Sequence, residues 1–296
     1  MKNEPNLEIP DAVVIVPGNG GLPKVTLTHR SGASAEVYLQ GAHVTSWRDA
    51  KGNELFFLSR ESNWAADKPI RGGIPVCWPQ FGGQGPLPQH GFARTNPWAL
   101  TRTEKFANGD VEVTLRFAES DATLKLWPHP FAFELRLTLT EMSLALATRV
   151  QNTGDQPFDF QIALHTYFAV ADIHRAAVCG LQGTTFVDSL RNNTREVEQR
   201  QEIRFEQETD RVYVNAPDEL SIRDEAAGRI FSIRKTGMAD AVVWNPWIEK
   251  SQRMPDFGDD EYLRMVCVET GNMATRVALA PRQEWQGGTV LSVGCA

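Results

Sequence analysis

Apolar residues recur at every second position along much of this chain, and that period commits it to strands. Val111, Val113, Leu115 and Phe117 alternate with Glu112, Thr114 and Arg116. Phe133, Leu135, Leu137 and Leu139 alternate with Glu134, Arg136, Thr138 and Thr140. Successive side chains of a strand point to opposite faces, so this is the pattern of half-buried antiparallel strands. Val25, Leu27, Val37 and Leu39 begin the series. Ile222 and the run 231–233 flank a turn-like segment at 224–228, and Val277, Leu279, Val290, Leu291 and Val293 supply the last strands. Helical periodicity is scarce, with short helices expected only near 61–66 or 196–202. Turns of Gly, Pro and Asn separate short strands over nearly the whole length. The expected fold is all-β: one large antiparallel β-sandwich or barrel over 1–296, with 1–21 as a lead-in and few short helices.

Charge and cysteine usage narrow the partners. The formal net charge is -7. That balance argues against nucleic acid or an anionic membrane as the main partner. The first residues lack a basic segment followed by an apolar core, and no apolar run is long enough to span a bilayer. Cys77, Cys179, Cys267 and Cys295 are far apart and form no CxxC pair, which points to reduced thiols rather than a zinc site or disulfide framework. A cytoplasmic monomer is the expectation.

Against this acidic background, residues 68–94 stand out. They hold six glycines and five prolines in 27 residues, with Lys68, Arg71, His90 and Arg94 but no Asp or Glu. Gly-Gly pairs let backbone approach a ligand, prolines stiffen the loop, and Trp78, Phe81 and Phe92 add flat apolar faces. Such a loop suits a small, partly apolar anion such as a sugar phosphate. It also fits a structured loop whose arginines are merely solvated.

Two strands carry the titratable candidates. Phe158, Phe160, Ile162 and Leu164 share one phase of a strand, and Gln161, Ala163, His165 and Tyr167 share the other. His165 is thereby placed away from the apolar set. In 265–269, Val266 and Val268 take one phase, while Met265, Cys267 and Glu269 take the other. Asp210 precedes a strand, where it can accept hydrogen bonds from sugar hydroxyls or pair with Arg211. Trp244 and Trp247 in WNPW fit core and turn, though a Trp ring can also stack on a sugar. The acidic stretch 256–261 lacks calcium-loop spacing and reads as a solvated loop. No nucleophile elbow, P-loop, dinucleotide fingerprint or metal motif occurs, so neither cofactor nor metal is expected.

Six segments then appear in order: RGGIPVCWPQFG at 71–82, HGFAR at 90–94, ALHTYF at 163–168, TDRVY at 209–213, VVWNPW at 242–247 and CVETGN at 267–272. Together they resemble the aldose 1-epimerase (galactose mutarotase-like) superfamily, and within it the hexose-6-phosphate mutarotase branch, over about residues 22–294. The resemblance implies a large β-sandwich with a sugar cleft, and interconversion of the α and β anomers of a hexose 6-phosphate. It implies His165 as general acid, Glu269 as general base, and substrate contacts at Arg71, His90, Arg94 and Asp210. Lys68, Gln80, Trp244 and Lys250 are further positions for such contacts. HGFAR departs from the His-Gly-Gly pattern of free-sugar epimerases, and its Arg94 with Arg71 implies a phosphorylated substrate. A non-catalytic sugar-phosphate-binding protein on the same fold is the alternative. A glycoside hydrolase would need two carboxylates flanking the bond, and only Glu269 is well placed.

Overall fold

The computed structural model describes residues 7–295. Positions 1–6 of the expected lead-in, and Ala296, lie outside the described residues. Three antiparallel sheets carry the chain. A four-stranded sheet joins Val13–Pro17, Pro23–Thr28, Ser34–Tyr38 and His43–Arg48 in chain order. The lead-in therefore contributes a strand of its own.

A nine-stranded sheet runs in the order Glu202–Ile203, Ala176–Cys179, Glu219–Asp224, Arg229–Thr236, Glu284–Cys295, Ser143–Asn152, Phe131–Leu139, Val111–Ala118, Ala99–Lys105. An eight-stranded sheet runs Thr194–Val197, Thr185–Asp188, Thr209–Tyr213, Asp240–Asn245, Met265–Leu279, Phe158–Leu164, Val76–Cys77. The short strand Tyr167–Ala169 also pairs with Met265–Leu279.

The alternation read from sequence is what packs these sheets together. Val111, Val113, Leu115, Phe133, Leu135, Leu137 and Leu139 are fully buried. They join Phe160, Ile162, Leu164, Val243, Val266 and Val268 of the eight-stranded sheet in one core. The opposite face of the eight-stranded sheet is not simply polar. It carries a second apolar cluster with Phe57, Cys77, Ala163, Tyr167, Val242, Trp244, Met265 and Cys267. A strand buried on both faces explains why 240–245 shows no alternation.

The helices differ from expectation. They lie at Asp121–Leu126 and Trp247–Arg253. The first starts on a Ser120–Thr123 capping box. Residues 194–197 form an edge strand paired with 185–188. The 61–66 segment is turn and coil, and Ser62 Oγ accepts the Arg71 amide at 2.7 Å.

The glycine-proline loop is built into the eight-stranded sheet. Its backbone carbonyls at Gly73, Pro75 and Pro79 accept the amides of Tyr167, His165 and Gln161 at 2.8, 3.0 and 2.8 Å. Trp78 and Phe92 are not ligand faces as expected; they are buried in the main core, where Trp78 packs on Phe131 at 4.5 Å and Phe92 at 5.6 Å. Gly91 has φ 71°, and a Cβ there would lie 2.1 Å from the Trp78 carbonyl oxygen. Gly91→Ala should therefore destabilise the protein by about 1–3 kcal/mol, read from denaturant unfolding. An unchanged midpoint would show that the crossing of loop and Trp78 is not tight.

Candidate active site

The cross-strand register assembles the site in rungs. Asp210 lies opposite Trp244, Trp244 opposite Cys267, and Cys267 opposite Tyr167. Two residues along, Val212 lies opposite Val242, and Val242 opposite Glu269. His165 sits between the pairs Leu164–Thr270 and Tyr167–Cys267, so the same register brings it to Glu269. His165 Nε2 is 3.2 Å from Glu269 Oε1. Residues 104 apart in sequence are thus joined by nothing more than period-two placement and antiparallel pairing.

Burial governs the protonation of this pair. His165 is 8% exposed and Glu269 1%. Desolvation drives the Glu269 carboxyl well above its ordinary range; the Asp210 charge pushes it further, while Arg94 opposes the shift. Desolvation drives the His165 imidazole well below its ordinary value, reinforced by His90, Arg71 and Arg94. Both shifts favour a neutral imidazole beside a protonated carboxyl. Moving that one proton across the 3.2 Å contact gives imidazolium and carboxylate without changing the net charge. His165 Nδ1 and Glu269 Oε2 are buried and have no hydrogen-bond partner. Unpaired buried polar atoms are rare because each costs free energy. Here two of them fall on the two groups best suited to proton transfer.

Aromatic rings fix the surroundings. Tyr167 stacks on His165 with centroids 4.8 Å apart and planes 12° from parallel. Trp244 and His90 meet the same ring edge-on at 5.9 and 5.7 Å. The sequence placed Trp244 equally well in core or turn; the fold puts it beside His165. His90 adopts φ 64° at the close of the loop, with Phe81 packed against it at 5.1 Å. Desolvation first, then Arg94 and Arg71, lower the His90 pKa to about 3. His90 is therefore neutral at physiological pH, and its Nδ1 accepts the Gly82 amide at 3.4 Å.

The two arginines differ. Arg71 donates from Nε and Nη2 to one Asp256 oxygen at 3.2 and 2.9 Å, and from Nη1 to Tyr167 Oη at 3.0 Å. Arg94 donates to the Gln89 carbonyl at 3.0 Å and has no ion pair among the described residues. Its field nonetheless reaches His90, His165 and Glu269. Arg94 thus retains an uncompensated charge, whereas Arg71 is already neutralised.

The remaining candidates divide. Asp210 is raised by desolvation, lowered by a Ser189 hydrogen bond, raised by Glu208 and lowered by Lys250. Lys250, on the Trp247–Arg253 helix, is therefore part of the Asp210 neighbourhood. Lys68 is exposed and lies 3.7 Å from Asp67. Gln80 is buried, and its amide braces the loop: Nε2 donates to the Gly82 and Leu87 carbonyls at 3.3 and 3.1 Å, and Oε1 accepts the Leu87 amide at 3.2 Å. That amide is committed to the loop rather than offered to a ligand.

The acidic stretch 256–261 is not the solvated loop expected. Asp256 holds Arg71, and Glu261 is buried, accepting Ser59 Oγ at 2.6 Å and the Gly258 amide at 2.8 Å. Sequence reasoning missed Asp256 because its partner lies 185 residues away and no periodicity marks a loop carboxylate. It also missed His43, which is fully buried and donates from Nε2 to the Gly72 carbonyl at 2.7 Å, bracing the Arg71 turn.

Known proteins are similar to this chain in sequence and in fold. A protein of Cenchrus ciliaris, named provisionally as a glucose-6-phosphate 1-epimerase, is 43% identical over 92% of this chain and 85% of its own. An Escherichia coli K12 protein with the same provisional name is 39% identical over 80% of this chain and 79% of its own. The crystal structure of a provisional mutarotase from Salmonella typhimurium superposes with a TM-score of 0.89 at 30% identity, covering 98% of this chain and 96% of that one. The family model described as aldose 1-epimerase matches residues 23–292, a span that takes in the loop and the His165–Glu269 pair, and the chain belongs to that family.

Proposed function

We propose that this protein is a glucose-6-phosphate 1-epimerase, interconverting the α and β anomers of a hexose 6-phosphate by ring opening and closure. The observation that carries the reading is the buried 3.2 Å contact between His165 and Glu269 beside the unpaired charge of Arg94. In the imidazolium–carboxylate form of the pair, Glu269 takes the proton of the C1 hydroxyl and His165 gives one to the ring oxygen. The C1–O5 bond breaks and the aldehyde forms. Rotation about C1–C2 presents its other face, and closure returns both protons. The residues begin and end in the same protonation state, so the step needs no redox partner. Positioned transfers of this kind contribute about 10²–10⁴-fold.

Arg94 is the phosphate anchor in this reading, giving charge-assisted hydrogen bonds to phosphate oxygens remote from C1. Arg71, fixed beside Tyr167, donates to sugar oxygens near the reacting end along with His90. Asp210 accepts from a sugar hydroxyl. In the same reading the protein is a single-domain monomer of the cytoplasm. Separately, no helix of the described residues is long and apolar enough to cross a membrane.

Freshly dissolved α-glucose 6-phosphate, followed by polarimetry, tests the reading. Catalysed equilibration supports it, and binding without faster equilibration would leave the non-catalytic alternative standing.

The rate should be bell-shaped in pH. A second proton on the pair disables it, and desolvation resists that proton, so the acid limb lies below the ordinary imidazole pKa of about 6.5. Loss of the shared proton disables it at the other end, above the ordinary carboxylate range. An acid midpoint at or above about 6.5 would contradict the buried neutral state of His165.

A further inference from the structure

His165 lacks the support a working imidazole usually has. The role of one ring nitrogen is commonly set by a hydrogen bond at the other. Here Nε2 faces Glu269, but Nδ1 is buried and without a partner. A ring held at one nitrogen can swing about its Cβ–Cγ bond. Packing must supply the second constraint, and only one of the three neighbouring rings lies parallel to it. That ring is Tyr167, 12° from parallel, whereas His90 and Trp244 stand at 69° and 81°. Offset parallel stacking sets the plane of the imidazole in a way that an edge contact does not.

Tyr167 is in turn tethered. Its Oη accepts from Arg71 Nη1 at 3.0 Å. Arg71 is gripped on its other side by one oxygen of Asp256. A guanidinium bound on two sides is fixed in its own plane, which fixes the direction of the bond to Tyr167.

We propose that Tyr167 is a positioning residue for His165, and that the Asp256–Arg71 ion pair holds Tyr167 in place as one continuous tether. The inference rests on reading His165 and Glu269 as the acid–base pair. Asp256 and Tyr167 touch no reacting atom in this account. They set the angle at which His165 presents Nε2 between Glu269 and the sugar ring oxygen.

A double-mutant cycle tests it. Tyr167→Phe keeps the ring and removes the bond to Arg71; Asp256→Asn removes the grip on Arg71. Each should lower kcat about 10-fold, since small misplacements at a reacting centre are felt strongly. The double variant should fall no further than either single one, because both cut the same tether. A lost Arg71–substrate contact would appear in KM and is read separately. Losses that multiply to about 100-fold, or an unchanged kcat in Tyr167→Phe, would overturn the proposal. His165→Ala distinguishes this from failure of the functional reading: full activity there sinks the acid–base assignment itself. A readout independent of turnover is the histidine ring resonance that His165→Ala removes from the NMR spectrum. It should be displaced in both single variants and no further in the double; an undisplaced resonance would overturn the tether even in a protein that turned nothing over.

Discussion

His165→Ala and Glu269→Gln should each lower kcat for anomer exchange by about 10²–10⁴-fold, with the fold intact. The two changes act on one shared proton, so the double variant should be little worse than either alone. Stability separates this from unfolding. Burial raises the Glu269 carboxyl in the folded protein above its ordinary value of 4.5. Folding therefore favours the protonated acid. That contribution is full below the unfolded pKa and is lost as pH rises through the folded one. At neutral pH the native carboxyl is a burden on stability, and an uncharged amide of the same shape is not. Glu269→Gln should melt no lower than wild type at neutral pH, with its advantage shrinking as pH falls toward the ordinary carboxylate range. A variant that lost activity together with several degrees of Tm would point to a structural role for Glu269.

The second large effect concerns Arg94. Among the two arginines of the loop it alone lacks a carboxylate partner. Arg94→Ala should lower kcat/KM for glucose 6-phosphate by about 10- to 100-fold, the range for hydrogen bonds to a charged group. Exchange of free glucose should change little. Equal losses on the two sugars would reject the phosphate role. Arg94 also stabilises the Glu269 carboxylate. Its removal should therefore move the alkaline limb of the pH profile upward. Arg71→Ala behaves differently in this account: it frees Asp256 and releases Tyr167, so both sugars suffer.

Much of the sheet and the central pair was legible in the sequence. Val266 and Val268 did turn toward the main core, and Met265, Cys267 and Glu269 toward the other face. Alternation carries that information locally, because each residue's face follows from its neighbour's. It carries none about loops. Trp78 and Phe92 read as ligand faces because an aromatic in a Gly/Pro segment has no phase; in the fold the loop is an edge of the sheet, and they fill the core beneath it. Asp256 read as solvated for the same reason, since its partner at Arg71 is set by tertiary folding alone. The apolar lining of the site escaped notice too. A strand buried on two faces hides its period, and Trp244 could not be assigned to either side until the strand was paired.

In the proposed reaction, His165 and Glu269 pass a proton around the ring opening of a hexose 6-phosphate. Magnetisation transfer between the two anomeric protons of glucose 6-phosphate at equilibrium measures that exchange directly. Wild-type protein should raise the exchange rate far above buffer, and His165→Ala at equal concentration should return it to within a small multiple of buffer. Exchange as fast with His165→Ala as with wild type, or no faster with wild type than in buffer, would contradict the claim.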